Sequence, residues 1–141
     1  MEGDERVTSR SRLSGTELAE IDEVTERVIG AGIEVHRELG PGLLESAYEE
    51  CLAREFALRR IPFDRQKPIP LTYKGAQIDV GFRADFVVAG KVVVELKSVD
   101  SLEPIHEAQV LTYLKLTGLR IALLMNSNAK VLARSVRRLA L

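Results

Sequence analysis

The chain has 141 residues, of which 45% are hydrophobic and 29% are charged, and its net charge is −1. This length is sufficient for one domain with a buried core, and no apolar run approaches the roughly 18 to 20 residues of a membrane span. A chain so close to neutrality does not hold nucleic acid through bulk charge, so such binding would need a local basic patch or a metal ion among clustered carboxylates.

The N-terminal segment differs from the rest of the chain. Residues 1–14 are polar and without periodicity, which predicts a flexible tail before a single domain over residues 15–141. The segment lacks the apolar core of a signal peptide, and the single cysteine, Cys51, excludes an internal disulfide. We therefore expect a cytoplasmic protein without a membrane span.

Two helices are predicted next. Helical spacing begins near Ser14 or Thr16, the two candidate caps, and ends at the Gly40-Pro41-Gly42 stop. The apolar stripe of this helix consists of Leu18, Ile21, Val24, Val28, Val35 and Leu39. A second helix follows over LLESAYEECLAREFALRR, and its predicted buried face consists of Leu44, Ala47, Tyr48, Cys51, Leu52 and Phe56.

The second half of the chain is rich in short strand patterns. After the extended segment IPFDRQ, about four strands are predicted: two joined near Lys74-Gly75, then RADFVV and VVVELK joined near Ala89-Gly90. Pro104 begins a third helix that Gly118 ends, RIALLMN is typical of a buried strand, and the ambiguous KVLARSVRRLAL favours a strand after a short turn. This order predicts a mixed α/β (α+β) fold, with a central mixed β-sheet flanked by helices.

Three charged residues interrupt the apolar stretches ADFVV and VVVELK. They are Asp85, Glu95 and Lys97. Because an unpaired charge in a covered strand is costly, three explanations compete. The charges face solvent on a half-exposed sheet, Glu95 and Lys97 form a structural ion pair, or all three line a cleft that holds a divalent metal.

The turn between the two strands bears on this choice. A two-residue turn at Ala89-Gly90 would pair residue 85 with residue 94 and place Asp85 and Glu95 on opposite faces. A three-residue loop with a Gly90 bulge, pairing residue 87 with residue 91, brings both acids to one face. Two carboxylates with a backbone carbonyl suit Mg²⁺ or Mn²⁺, and Lys97 would then lie beside a metal-activated water and a phosphate.

The same residues resemble a known signature. Asp85, nine intervening residues and Glu95-Leu96-Lys97 are similar to the D…(D/E)xK pattern of the PD-(D/E)XK nuclease superfamily. GLLESAY, residues 42–48, resembles the motif of the GxxExxY family, a small prokaryotic group of that superfamily. QVLTY, residues 109–113, resembles the Gln-x-x-x-Tyr element that follows the ExK strand in nucleases related to recombination exonucleases. The resemblance implies a restriction-endonuclease-like core and a nuclease that hydrolyses phosphodiester bonds, with DNA as the expected substrate.

The resemblance also implies a role for each matching residue. Asp85, Glu95 and the Leu96 carbonyl would bind Mg²⁺ or Mn²⁺, and Glu45 would reach the ion directly or through water. Lys97 would assist the base or stabilise charge. The two remaining catalytic residues, Gln109 and Tyr113, are four apart on one helix face and would border the site.

Other readings stay open at this stage. His36 is either a further ligand or a helix-flank histidine favoured by the dipole, and His106 is either a site residue or a surface histidine. Arg83 is the candidate phosphate contact. An alternative function is a catalytically inactive module of the same fold that binds nucleic acid or protein. Superfamily members often dimerise, so a homodimer is also an expectation, although no interface can be read from the sequence.

Overall fold

A computed structural model of the protein describes residues 12–141. Within that range the helices are α1 (Gly15–Leu39), α2 (Glu45–Leu58) and α3 (Pro104–Thr117). The strands are β1 (Phe63–Pro68), β2 (Leu71–Tyr73), β3 (Ala76–Ile78), β4 (Arg83–Val88), β5 (Val92–Lys97), β6 (Ile121–Asn126) and β7 (Val136–Ala140). No helix among these residues is long and apolar enough to cross a membrane. The predicted tail lies mainly outside the described residues, and the division into a tail and one domain stays a prediction.

The strands form one mixed five-stranded sheet and one small hairpin. The order in the main sheet is β1-β4-β5-β6-β7, and within it only β5 and β6 run parallel. The hairpin of β2 and β3 forms a separate two-stranded sheet. About four strands were predicted before α3, and the structure contains five, because the segment IPFDRQ contributes to β1. The predicted fold class, a central mixed sheet flanked by helices, is confirmed.

The helices cover both faces of the main sheet. One core cluster joins α1 and α2 to Phe86, Val94 and Leu96, and a second joins α3 to Val87 and Val93. The predicted stripe on α1 is wrong at its two ends, because Leu18 and Leu39 extend past the sheet and are more than 40% exposed. Leu44 is likewise exposed, since it precedes the first turn of α2.

The β4–β5 turn contains three residues, Ala89 to Lys91, so of the two alternatives it is the odd-length loop that the metal site requires. The predicted register of residue 87 with residue 91 is wrong, because Val88 pairs with Val92. The turn begins one residue later than predicted because Ala89 adopts a φ of 54°, in addition to Gly90 at 65°. This register places Asp85 opposite Glu95, one position beyond the last ladder pair of the two strands.

Candidate functional site

Asp85 and Glu95 converge where the regular ladder of β4 and β5 ends. The last ladder pair is Phe86 with Val94. Beyond it, the Asp85 N–H donates to Glu95 Oε1 at 2.8 Å, and the Leu96 N–H donates to Asp85 Oδ2 at 2.8 Å. Each carboxylate therefore accepts from a backbone donor that a carbonyl would satisfy in a regular antiparallel ladder. Both side chains lie in the gap between the strands as a result.

This position makes both carboxylates difficult to ionise. Burial, reinforced by the neighbouring charge of Asp85, raises the pKa of Glu95 to about 8, although the Asp85 N–H and the Lys97 charge oppose this shift. Burial also raises the pKa of Asp85 to about 6, an effect that the Leu96 N–H opposes and the charges of Glu49 and Glu45 reinforce. The raised pKa values favour a bound proton on this pair near neutral pH in the absence of a cation, and a bound cation would have to displace it.

Lys97 lies on the same face of β5 as Glu95, two residues further along. Its side chain is half-buried, and within the part of the chain that the structure describes its ammonium has no ion-pair partner. The earlier alternative of a structural Glu95–Lys97 ion pair is therefore not what the structure contains. Lys97 therefore places a positive charge near the two acids, and no ion pair among the described residues neutralises it.

One turn conformation and two hydrogen bonds hold Glu45, at the start of α2, near the two acids. Gly42 takes a φ of 94°, a conformation that favours glycine, and the Ser98 hydroxyl donates to the Leu43 carbonyl at 3.0 Å. The Tyr48 hydroxyl donates to the Gly32 carbonyl of α1 at 2.6 Å. The three motif residues of GLLESAY thus supply a turn, an acid and an anchor, and the charge of Glu45 reaches both Asp85 and Glu95.

The close packing of α1 depends on Gly32. A Cβ at this position would lie 2.7 Å from Met125 Cε and 3.1 Å from Leu132 Cδ2. A side chain here would have to displace the buried ends of Met125 and Leu132, so glycine favours the close approach of α1 to β6 and to the Tyr48 hydroxyl. The GAG segment of α1 serves helix packing, and this packing sets where α2 begins.

Helix α3 contributes Gln109 and Tyr113, which interact with each other. Gln109 Nε2 donates to the Tyr113 hydroxyl at 3.1 Å. Tyr113 is almost fully buried, and its pKa is raised by burial and by the charge of Glu95, so its phenol remains protonated and lies within electrostatic range of the acids. Its ring packs against Phe82, with the ring centroids 5.9 Å apart.

The remaining predicted site residues have structural contacts. Arg83 is exposed at the start of β4, and its guanidinium donates to the Gln66 carbonyl at 3.3 Å. His36 is buried, with Nε2 2.7 Å from the Ala129 carbonyl oxygen. His106 Nδ1 accepts the Glu103 N–H at 2.9 Å and so completes the N-terminal cap of α3. Each histidine is held by the backbone of a loop, and a site role for either stays a prediction.

Two residues near Asp85 escaped the sequence analysis. Glu49, one turn after Glu45 on α2, is 8% exposed and influences the pKa of Asp85. Gln66 of β1 donates through Nε2 to Glu49 Oε1 at 2.8 Å and to Asp85 Oδ1 at 3.2 Å. The i, i+4 spacing of Glu45 and Glu49 was a usable signal for Glu49. Nothing in the sequence pattern marked Gln66.

The donor set suits a divalent ion that keeps part of its water shell. Among residues 12–141, no three side chains of His, Cys, Asp or Glu form a group that could hold a metal ion. Two carboxylates and the Leu96 carbonyl are hard oxygen donors, and Mg²⁺ commonly takes one or two carboxylates and retains several waters. Asp85, Glu95 and Leu96 would hold such an ion, with Glu45 acting through water.

The profile of the PD-(D/E)XK nuclease superfamily matches residues 22–139 of the chain. The chain therefore belongs to the PD-(D/E)XK nuclease superfamily, whose members generally use divalent metal ions. Comparisons with curated proteins and with solved structures gave no match. The membership supports a nuclease-type function and a nucleic acid substrate, whereas the finer GxxExxY assignment stays a prediction.

Proposed function

We propose that this protein is a nuclease that uses Mg²⁺ or Mn²⁺ to hydrolyse phosphodiester bonds in DNA. The observation that carries the proposal is the meeting of Asp85 and Glu95 in the gap between β4 and β5, with Lys97 on the same face. Superfamily membership supports the reaction class. DNA, as opposed to RNA, is the part of the proposal that follows from the resemblance alone.

The reaction requires a water oxygen to bond to phosphorus while the ester P–O bond breaks and the leaving oxygen takes up a proton. A bound divalent ion would supply Lewis acidity at the phosphate and a more acidic water. The chain's own residues orient the reactants. The Lys97 ammonium stabilises the negative charge that develops on the phosphate, and Asp85 and Glu95 balance the charge of the cation.

Helix α3 borders the same space and would position the substrate. Gln109 and Tyr113 already bond to each other, so their polar groups are oriented before a substrate arrives. Arg83 lies at one end of an open groove of about 550 Å³ between the end of β1 and the β2–β3 hairpin. This groove supports a path for the nucleic acid strand that passes Arg83 on its way to Asp85, two residues further along β4.

A cleavage assay tests the proposal. Labelled DNA is incubated with Mn²⁺ and the wild type, Asp85→Asn or Lys97→Ala, with RNA in a parallel reaction. The matched controls are the exposed Asp64→Asn and Lys115→Ala. We expect cleavage by the wild type and both controls, and at least about a 100-fold loss in the two site variants, as for loss of a stabilising charged group. Wild-type cleavage no faster than that of the site variants would favour the inactive binding module instead.

The GxxExxY assignment, a cytoplasmic location and a homodimer belong to the same proposal. The motif residues support the first, through the turn at Gly42, the acid at Glu45 and the Tyr48 anchor. Light scattering on the purified protein, at several concentrations and with and without Mn²⁺, tests the dimer. A mass of about one chain, 15.7 kDa, under all conditions would rule it out.

A further inference from the structure

Arg65 and Gln66 are consecutive residues of β1, yet both bond to Glu49. Arg65 Nε donates to Glu49 Oε2 at 2.7 Å, and Gln66 Nε2 donates to Glu49 Oε1 at 2.8 Å. Successive side chains of a regular strand point to opposite faces. The backbone must therefore depart from strand geometry here, and Gln66 indeed adopts a φ of 50°. The departure turns Gln66 towards the acid that its neighbour already holds.

This conformation is unfavourable for a residue with a side chain. A left-handed backbone at a non-glycine residue costs on the order of 1–3 kcal/mol and persists only where surrounding contacts enforce it. The enforcing contacts at Gln66 are its two amide hydrogen bonds. One goes to Glu49, and the other goes to Asp85 Oδ1 at 3.2 Å. Both donors of the amide are thus directed at carboxylates.

The position of Gln66 matters because its side chain separates two acids, Glu49 and Asp85. Glu49 is 8% exposed, and its charge acts on Asp85. The amide of Gln66 lies between these two acids, where it supplies donors without adding charge. Asp85 is then held at both oxygens, Oδ1 by Gln66 and Oδ2 by the Leu96 N–H. Arg65 fixes the far side of Glu49 and also bonds Glu50 Oε1 at 2.8 Å.

We propose that Gln66 is a positioning residue, which with Glu49 behind it holds Asp85 in the orientation that binds the divalent ion. This inference rests on the proposed function, because it assigns Gln66 a task at the same site. Partners that orient a metal ligand through a hydrogen bond typically change metal affinity about 10- to 100-fold when they are removed. The same range is expected here.

The variant Gln66→Gly distinguishes the effect of the side-chain amide from the effect of the backbone conformation. Glycine adopts a φ of 50° without steric cost, so the strand geometry is retained while both hydrogen bonds are lost. The matched control is Lys74→Gly in the β2–β3 turn, where Lys74 has a φ of 48°. Both variants relieve the same kind of backbone strain, and only Gln66→Gly removes a contact to Asp85.

The experiment is a calorimetric titration of Mn²⁺ into the full chain of the wild type and each variant. We expect Gln66→Gly to bind Mn²⁺ 10- to 100-fold more weakly and Lys74→Gly to stay within about twofold of the wild type. Equal affinity in Gln66→Gly and the wild type overturns the positioning role and leaves the nuclease proposal intact. A wild type that binds no Mn²⁺ overturns both.

Two further variants secure the interpretation. Gln66→Asn tolerates positive φ, and its amide is one methylene too short to reach both acids, so it should reproduce the loss if the glycine variant does not fold. Glu49→Gln keeps an oxygen that accepts from Gln66, so its loss of Mn²⁺ affinity should be smaller than that of Gln66→Gly. A loss as large or larger would make Glu49 a direct ligand and overturn the positioning role.

Discussion

The β4–β5 hairpin has two halves, one near its turn and one near α2. They differ in which groups fill the space between the strands. Near the turn, the ladder pairs Val87 with Val93 and Val88 with Val92, and all four side chains are buried. At the other end, the carboxylates of Asp85 and Glu95 take the place of carbonyl acceptors. The same two strands thus bury apolar surface at one end and charge at the other.

The two halves contribute to stability with opposite signs. Burial of each valine stabilises the fold by about 1.5–3 kcal/mol. Burial of the acids raises their pKa values, which means that the ionised pair destabilises the folded chain at neutral and higher pH. The apolar half therefore keeps the two strands of the hairpin rigid, and this rigidity holds the acids of the other half together.

The largest expected effect concerns the acidic half. Glu95→Gln keeps an oxygen to accept the Asp85 N–H but cannot become an anion, so we expect DNA cleavage with Mn²⁺ to fall at least about 100-fold. The melting temperature of this variant should also no longer rise when Mn²⁺ is added. Cleavage rates and thermal scans check both, and a variant that retains either the wild-type rate or the Mn²⁺ shift would contradict the assignment of Glu95 as a ligand.

The next effect belongs to the apolar half. Val93→Ala removes two methyl groups from a fully buried position, so we expect the free energy of unfolding to fall by about 2 kcal/mol. Cleavage per folded molecule should stay within about threefold of the wild type, because no site contact is lost. Urea denaturation and an activity titration measure the two quantities. A 100-fold activity loss in folded Val93→Ala would show that the halves are not separable.

The third effect is the pH dependence of the stability of the metal-free protein. The pKa of Glu95 is raised to about 8, so between its ordinary value and pH 8 the folded state holds a proton that the unfolded state has lost. The Glu95 contribution to stability is therefore fully present below about pH 4.5 and is lost as the pH rises through 8. The Asp85 contribution to stability has the same sign and is lost as the pH rises through about 6.

We expect the free energy of unfolding to fall between pH 5 and pH 9, because the folded protein holds protons on this pair that the unfolded chain has lost. Denaturation in EDTA across that range gives the slope. The slope should be smaller in Glu95→Gln and unchanged in Asp64→Asn, an exposed acid of β1. If the free energy of unfolding of the wild type rose between pH 5 and pH 9, the pKa values of the two buried acids would not be raised as described.

Much of the fold could be predicted because its signals are local. Pro104 and Gly118 bracket α3, and Ser14 caps α1 through the box with Glu17. The face shared by Asp85 and Glu95 followed from the parity of the turn, since an odd loop leaves both on one side of the sheet. The register was wrong by one residue because a left-handed Ala89 is uncommon for a residue with a Cβ and leaves no sequence signal.

The sequence pattern was enough to select the candidate site residues, since Asp85, Glu95 and Lys97 are charges within the otherwise apolar stretches ADFVV and VVVELK. How those charges are held depends on tertiary packing. The contacts of Gln66 with Glu49 and Asp85 join α2, β1 and β4, and residues 17 and 19 positions apart meet through packing that no local pattern encodes. Likewise, the raised pKa values of Asp85 and Glu95 come from burial, which depends on how the helices close over the sheet.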